Sequence, residues 1–195
     1  MEAYPAADFR GAPDPRKPAL LEAALEVFAR HGYRKTSMED VAQTAGVSRQ
    51  GLYLHFPTKE DLFRATVCHS LRRSHARVVE ILGAESEPLE ERLLRAFDEW
   101  VGRYVEARGS EVEDLVHACR TLLGNVVDHA NASFTEEITR ALSRSGLDPL
   151  YARRSLTAAQ IASTLRATAE GLKRFSRSRE DFVEGMRIAL RAVGP

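Results

Sequence analysis

The amino-acid sequence predicts an all-α fold of about nine helices, and three observations predict it. Apolar residues recur at steps of three and four from Leu20 to Val193, the repeat of helices with one buried face, and no segment alternates as a strand would. Helix-starting Ser, Thr and Asp residues and helix-stopping glycines punctuate that pattern. A length of 195 residues with 44% hydrophobic content suits one large or two small domains with a real core.

Composition narrows the function classes. The 28 Lys and Arg balance 28 Asp and Glu, which counts against strong sequence-independent attraction to nucleic acid. Between Arg16 and Arg64 there are eight basic and six acidic residues, so even this stretch is only slightly basic. Cys68 and Cys119 form neither a disulfide framework nor a zinc spacing, and a cytoplasmic protein is expected. No stretch approaches the apolar length of a membrane span, and the first fifteen residues lack the apolar run of a signal peptide, so no membrane partner is expected. Prolines at 5, 13, 15 and 18 predict a disordered arm over residues 1–15. Arg10, Arg16 and Lys17 could let it brush DNA, although an inert tail is the simpler reading.

The first helix is expected from about Arg16 to Arg30, with Leu20, Leu21, Ala24, Leu25 and Phe28 on one face and Gly32 as its stop. The second should start at Thr36, whose hydroxyl can cap the first turn while Glu39 completes a capping box. Met38, Val41, Ala42 and Ala45 then share a buried face, and Gly46 supplies a left-handed stop. Val47 can plug the corner and Ser48 can cap a third helix, so Ala45 to Ser48 reads as the turn of a helix-turn-helix. In that third helix Leu52 and Phe56 face inward, which turns Arg49, Gln50, Tyr53 and Leu54 outward. Arg suits guanine, Gln suits adenine, and base contacts concentrate near the start of a recognition helix. Pro57 ends the helix, Thr58 with Asp61 caps the next, and Lys59 stands where it could meet a phosphate.

The segment from about Leu20 to Phe63 resembles the DNA-binding domain of the tetracycline-repressor (TetR) family. The resemblance rests on Phe28, Gly32, Tyr33, Thr36, Val41, Ala42, Ala45, Gly46, Val47, Ser48, Leu52, Tyr53, His55, Phe56, Lys59 and Leu62. The family often carries a small residue directly after the basic position that follows the turn serine, whereas here Gln50 stands there and Gly51 comes next. That difference bears on the operator sequence, not on the fold. The resemblance implies a helix-turn-helix domain over 16–58, a helical effector-binding and dimerisation domain over 59–195, and a palindromic double-stranded DNA partner. The candidate DNA-binding residues are Thr36, Ser48, Arg49, Gln50, Gly51, Tyr53, Leu54, His55 and Lys59.

Beyond the motif, amphipathic helices are expected from Lys59 to about Leu82, Leu89 to about Glu106, Ser110 to about Leu123 with a Ser110–Glu113 capping box, and Val126 to Leu142 with Gly146 as a cap. One long helix should run from Asp148 to about Lys173, and a last one should follow a cap of Ser178 and Asp181. The resemblance implies that helices four to seven enclose a small-molecule pocket. Phe97, Trp100, Tyr104, His117, Cys119 and Phe134 could line it, although plain core is the simpler reading for each. It also implies a homodimer through the last two helices, with Leu156, Ala162, Leu165, Ala169, Phe182, Met186 and Leu190 as candidate contacts.

His117 and Cys119 lie two apart and point to different helix faces, and Cys68 with His69 fails in the same way, so neither pair suggests a metal site. No nucleophile, base and orienting acid stand at suggestive spacing, no glycine-rich phosphate loop occurs, and no cofactor is expected. Three readings remain open: a ligand-responsive regulator of transcription, usually a repressor in this family; a regulator without an effector; and a helical enzyme that carries a helix-turn-helix.

Overall fold

The computed structural model of the chain describes residues 16 to 193 except Arg108, Leu147 and Arg154, with Asp148 and Leu150 described in backbone alone. The expected arm over 1–15 lies outside the described residues. Among the described residues all regular structure is helical: α1 (Lys17–Lys35), α2 (Met38–Thr44), α3 (Arg49–His55), α4 (Lys59–Gly83), α5 (Leu89–Trp100), a 3-10 turn (Gly102–Tyr104), α6 (Ser110–Leu123), α7 (Val126–Arg144), α8 (Asp148–Arg153), α9 (Ala158–Phe175) and α10 (Arg179–Val193). The tenth helix arises because the long helix expected from Asp148 is two.

The chain forms two compact units, and the boundary differs from the expected one at residue 59. The first unit runs through Arg72 and takes in Arg108–His129; the second holds Arg73–Ala107 and Ala130–Pro195. The division therefore falls inside α4 and inside α7. Helix α6, distant in sequence from the helix-turn-helix, belongs to the first unit and packs on α1.

In the first unit Leu20, Ala24, Val27 and Phe28 of α1 meet Met38, Val41, Leu52, Phe56, Leu62 and Phe63 in one core, which Ala118 and Leu123 of α6 complete. The Phe28 and Phe63 rings meet edge-on, 5.0 Å apart. Gly32 interrupts α1 with φ +77, as its role of stop requires, and helical turns resume to Lys35. A side chain there would also collide with Asp114, whose Oδ2 would lie 2.8 Å from an added Cβ.

The expected α2 cap is displaced by one residue. Ser37 is the N-cap, forming a capping box with Asp40, whose carboxylate accepts from the Ser37 amide at 2.9 Å. Those hydrogen bonds hold the Asp40 carboxyl below its ordinary value. The Thr36 hydroxyl instead donates to the carbonyl of Gly32, the residue at which α1 is interrupted, at 2.6 Å, and Thr36 is buried. Gly46 (φ +67) ends α2 as expected, while Val47 stays exposed at the corner. The Ser48 cap of α3 and the Thr58–Asp61 cap of α4 form as expected.

In the second unit α5 and α9 both pack on α10. Helix α5 stops at Trp100, short of the expected Glu106. Gly102 follows in the 3-10 turn, and an added Cβ there would press into the Phe182 ring at 2.9 Å, so this close approach admits only glycine. Ser110 does not cap α6; it is the first helical residue, behind Gly109 in a positive-φ conformation. Ser155, also at positive φ, separates α8 from α9, and Thr157 starts α9 with a capping box to Gln160. The Ser178 cap of α10 forms as expected, its hydroxyl accepting from the Asp181 amide at 3.2 Å.

Candidate nucleic-acid interface

Helix α3 is short and two-faced. Leu52 and Phe56 are fully buried and anchor it to α1 and α2, while Arg49, Gln50, Tyr53 and Leu54 stand on the outside. The Ser48 hydroxyl accepts the Gly51 amide at 3.0 Å, which fixes the first turn and therefore the direction of Arg49 and Gln50. The Arg49 guanidinium lies over the Tyr53 ring at 5.6 Å and 4.0 Å from Glu39, both exposed contacts, and its interaction with Tyr53 raises its pKa. Tyr53 keeps 38% of its surface exposed and Leu54 81%. His55 is half-buried beside Phe56.

Two of the expected DNA contacts, Thr36 and Lys59, find partners within the chain. Thr36 is only 2% exposed and its hydroxyl is directed to the Gly32 carbonyl. Lys59 turns inward: its ammonium donates to the carbonyls of Tyr33 at 3.1 Å, Arg34 at 3.4 Å and Thr36 at 3.0 Å, and lies 4.5 Å above the Tyr33 ring. Three donors meet three carbonyls at the negative end of α1, so in the free chain this charge is held within the unit.

The same short stretch is held from its other side by α6. The Arg34 amide donates to Asp114 Oδ2 at 2.7 Å, the Arg34 guanidinium lies 3.0 Å from Oδ1, and Lys35 reaches Glu111 at 3.3 Å. Sequence spacing carries no sign of Asp114, because its partner is 80 residues away. Ser37 is within reach of sequence reasoning, since Ser37 and Asp40 satisfy the same capping pattern as Thr36 and Glu39.

A model of the "Bacterial regulatory proteins, tetR family" matches residues 20–66, the span that builds α1 to the start of α4. Over that span the chain is similar to the tetR family. Among relatives of this family, the HTH-type transcriptional regulator TtgR of Pseudomonas putida is 32% identical over 103 residues, covering 50% of this chain and 47% of that protein. The uncharacterized HTH-type transcriptional regulator YfiR of Bacillus subtilis is 44% identical over 54 residues, 28% of this chain and 26% of its own. The chain thus spans between about a quarter and about a half of the curated relatives it matches. The TetR-family transcriptional regulator PfmR from Thermus thermophilus shares the fold over 90% of this chain and 99% of its own, with a TM-score of 0.63 at 20% identity. The family is one of regulators and not of enzymes.

The six residues considered for an effector pocket divide between the two units. Phe97, Trp100 and Phe134 do come together in the second unit, where Trp100 stacks on Phe134 at 5.0 Å and Phe97 meets Phe134 edge-on at 5.2 Å. The Trp100 indole N–H donates to Asn131 Oδ1 at 3.0 Å. Tyr104 is exposed, flanked by Arg103 and Lys173. His117 and Cys119 belong to the first unit: His117 is an exposed residue of α6 on a polar cleft of about 420 Å³ shared with His31, Arg34, Glu111 and Asp114. Cys119 packs against the α1–α3 core, and burial pushes its thiol up to about 11.

The residues considered for dimer contacts are also placed differently. Ala162, Leu165, Ala169, Phe182, Met186 and Leu190 are buried within the single chain, and only Leu156 is exposed. Those six side chains are covered within the chain itself, while Phe175 of α9 and Ile188 of α10 stay exposed. Among the described residues no group of His, Cys, Asp and Glu could hold a metal ion, and no helix is long and apolar enough to cross a membrane.

Proposed function

We propose that this chain is a cytoplasmic DNA-binding regulator of transcription that reads a near-palindromic duplex as a homodimer. One observation carries the reading: α3 hides Leu52 and Phe56 while presenting Arg49, Gln50 and Tyr53 on one exposed face, groups suited to guanine, adenine and phosphate. The low net charge of the chain makes well-placed groups more important than bulk attraction, so non-specific binding should be weak. Enrichment of duplexes from a random double-stranded pool tests the reading directly. Recovery of a two-fold symmetric sequence supports it, and no enrichment above the starting pool overturns it.

Dimerisation would use the outer faces of α9 and α10. Ala159, Ser163, Ala167 and Gly171 form a stripe of small residues at four-residue steps along α9, and Phe175 at 83% and Ile188 at 61% are the large apolar groups left in water there. Small side chains allow close helix approach, and a two-fold protein matches a two-fold site.

The finer reading is a repressor released from its operator by a small, mainly apolar molecule bound in the second unit. It draws on the family, in which such release is the usual mode. The satisfied Trp100–Phe134–Phe97 stack favours a second reading, a regulator with no effector, because the indole N–H that would anchor a ligand is already bonded to Asn131. Titration of apolar compounds with Trp100 fluorescence as the signal, repeated with operator present, separates the two, since coupling between sites must be reciprocal.

A further inference from the structure

We infer that Leu54 is a specificity residue that reads the C5-methyl group of a thymine, so that α3 combines a hydrogen-bonding edge with an apolar one. The inference rests on the proposal that α3 enters a DNA groove, and it adds a chemical identity for one base of the site.

Leu54 is 81% exposed on a helix whose other apolar residues, Leu52 and Phe56, are at most 1% exposed. Its isobutyl group therefore contributes nothing to the core that places it. Helical side chains lean toward the helix N-terminus and cover the turn before their own Cα. For Leu54 that turn holds Gln50 and Gly51. Gly51 has no side chain, and the one side-chain atom close to the space a Cβ would occupy is the Ser48 hydroxyl oxygen at 3.1 Å, so the surface of that turn beside Leu54 is low. A glycine inside a helix costs about 1 kcal/mol relative to alanine, and here its smallness leaves room both for the Ser48 cap and for an approaching duplex.

In the major groove the thymine methyl is the one apolar feature of the base edges, and apolar side chains recognise it by contact. Gln50 sits one turn before Leu54 and suits adenine through its N6 and N7. A thymine adjoining the adenine read by Gln50, or paired to it, would place its methyl beneath Leu54. The two residues would then read neighbouring features of the same A·T-containing step, one by hydrogen bonds and one by contact.

The experiment uses the full chain and the duplex enriched from a random pool. Each thymine of the half-site is replaced in turn by deoxyuridine, which removes the methyl and keeps every hydrogen-bonding group. One position should weaken binding about fourfold per half-site, the value of about 0.8 kcal/mol for one buried methyl-sized group. Leu54→Ala should bind the thymine and uracil duplexes equally, with an unchanged melting temperature because the side chain touches no core. Equal binding of all uracil duplexes by the unaltered chain would overturn the inference while leaving DNA recognition intact. So would a Leu54→Ala protein that still distinguishes thymine from uracil, or an enriched half-site without thymine. Failure to enrich any duplex would overturn the proposed function itself and this inference with it.

Discussion

Helices α3 and α9 are both amphipathic, both start at a Ser or Thr cap, and both are expected from sequence to meet a partner, yet they differ in what their sequence reveals. In α3 the buried Leu52 and Phe56 sit inside a motif whose turn, caps and exit are spaced to define one geometry, so the residues left over are the outward ones. In α9 the periodic apolar face of Ala162, Leu165 and Ala169 suits a partner chain by spacing alone, and it lies inside the chain's own core. Periodicity says which side of a helix leaves water. It does not say whether the cover is the same chain or another.

The largest effect should come from substitutions on the two faces of α9. Leu165→Arg buries an unpaired charge at a site 1% exposed, and its cost of several kcal/mol should abolish cooperative thermal unfolding of the second unit. Ser163→Arg, on the outer small-residue stripe, should leave the melting temperature within a few degrees while splitting the dimer in sedimentation. A folded, monomeric Leu165→Arg protein would reverse the assignment of the two faces.

Lys59 sharpens the same contrast within the first unit. Losing its bonds to three carbonyls should destabilise the chain by about 1.5–3 kcal/mol in denaturant unfolding. Its removal should leave the salt dependence of DNA binding unchanged. A drop of about one unit in the slope would show that its ammonium sits on a phosphate instead.

The caps come next. Ser37→Ala should cost about 1 kcal/mol, and Thr36→Val should cost a comparable amount through the lost bond to Gly32 rather than through α2. Amide exchange separates them: only Ser37→Ala should deprotect the first turn of α2. The smallest effect concerns Cys119. With its thiol pushed up to about 11 it is neutral near pH 8, so alkylation there should be slower than for a free cysteine, and unfolding should remove the difference. Alkylation at the free-cysteine rate would contradict its burial against the core.

Legibility in the sequence follows the range of the interactions involved. The helix-turn-helix is readable because Gly46, Ser48 and Pro57 act on neighbours within a few residues, and Leu52 and Phe56 stand at fixed spacing from them. Thr36 and Ser37 both satisfy the capping pattern, and the choice between them is made by the Gly32 carbonyl, which needs the three-dimensional turn. The Thr157–Gln160 capping box is present in the sequence but is masked, because the alanine-rich periodicity continues on both sides of it. Asp114 and Lys59 cannot be assigned from sequence: one reaches Arg34 from 80 residues away, and the other looks like any surface lysine until its three carbonyls are seen. The second unit shows only amphipathic helices, so most of its helices are legible in the sequence while its partner faces are not.

The most direct test of the account is the specificity of the exposed α3 face. Binding of the enriched duplex and of a scrambled duplex should be compared for the unaltered chain, for Gln50→Ala, and for Arg49→Ala with Gln50→Ala, all at one salt concentration. Gln50→Ala should lose about 1 to 3 kcal/mol of discrimination, confined to one base pair, and the double variant should bind both duplexes alike, with melting temperatures unchanged because both side chains are exposed. A folded double variant that still prefers the enriched duplex by the original factor would show that the sequence is read elsewhere.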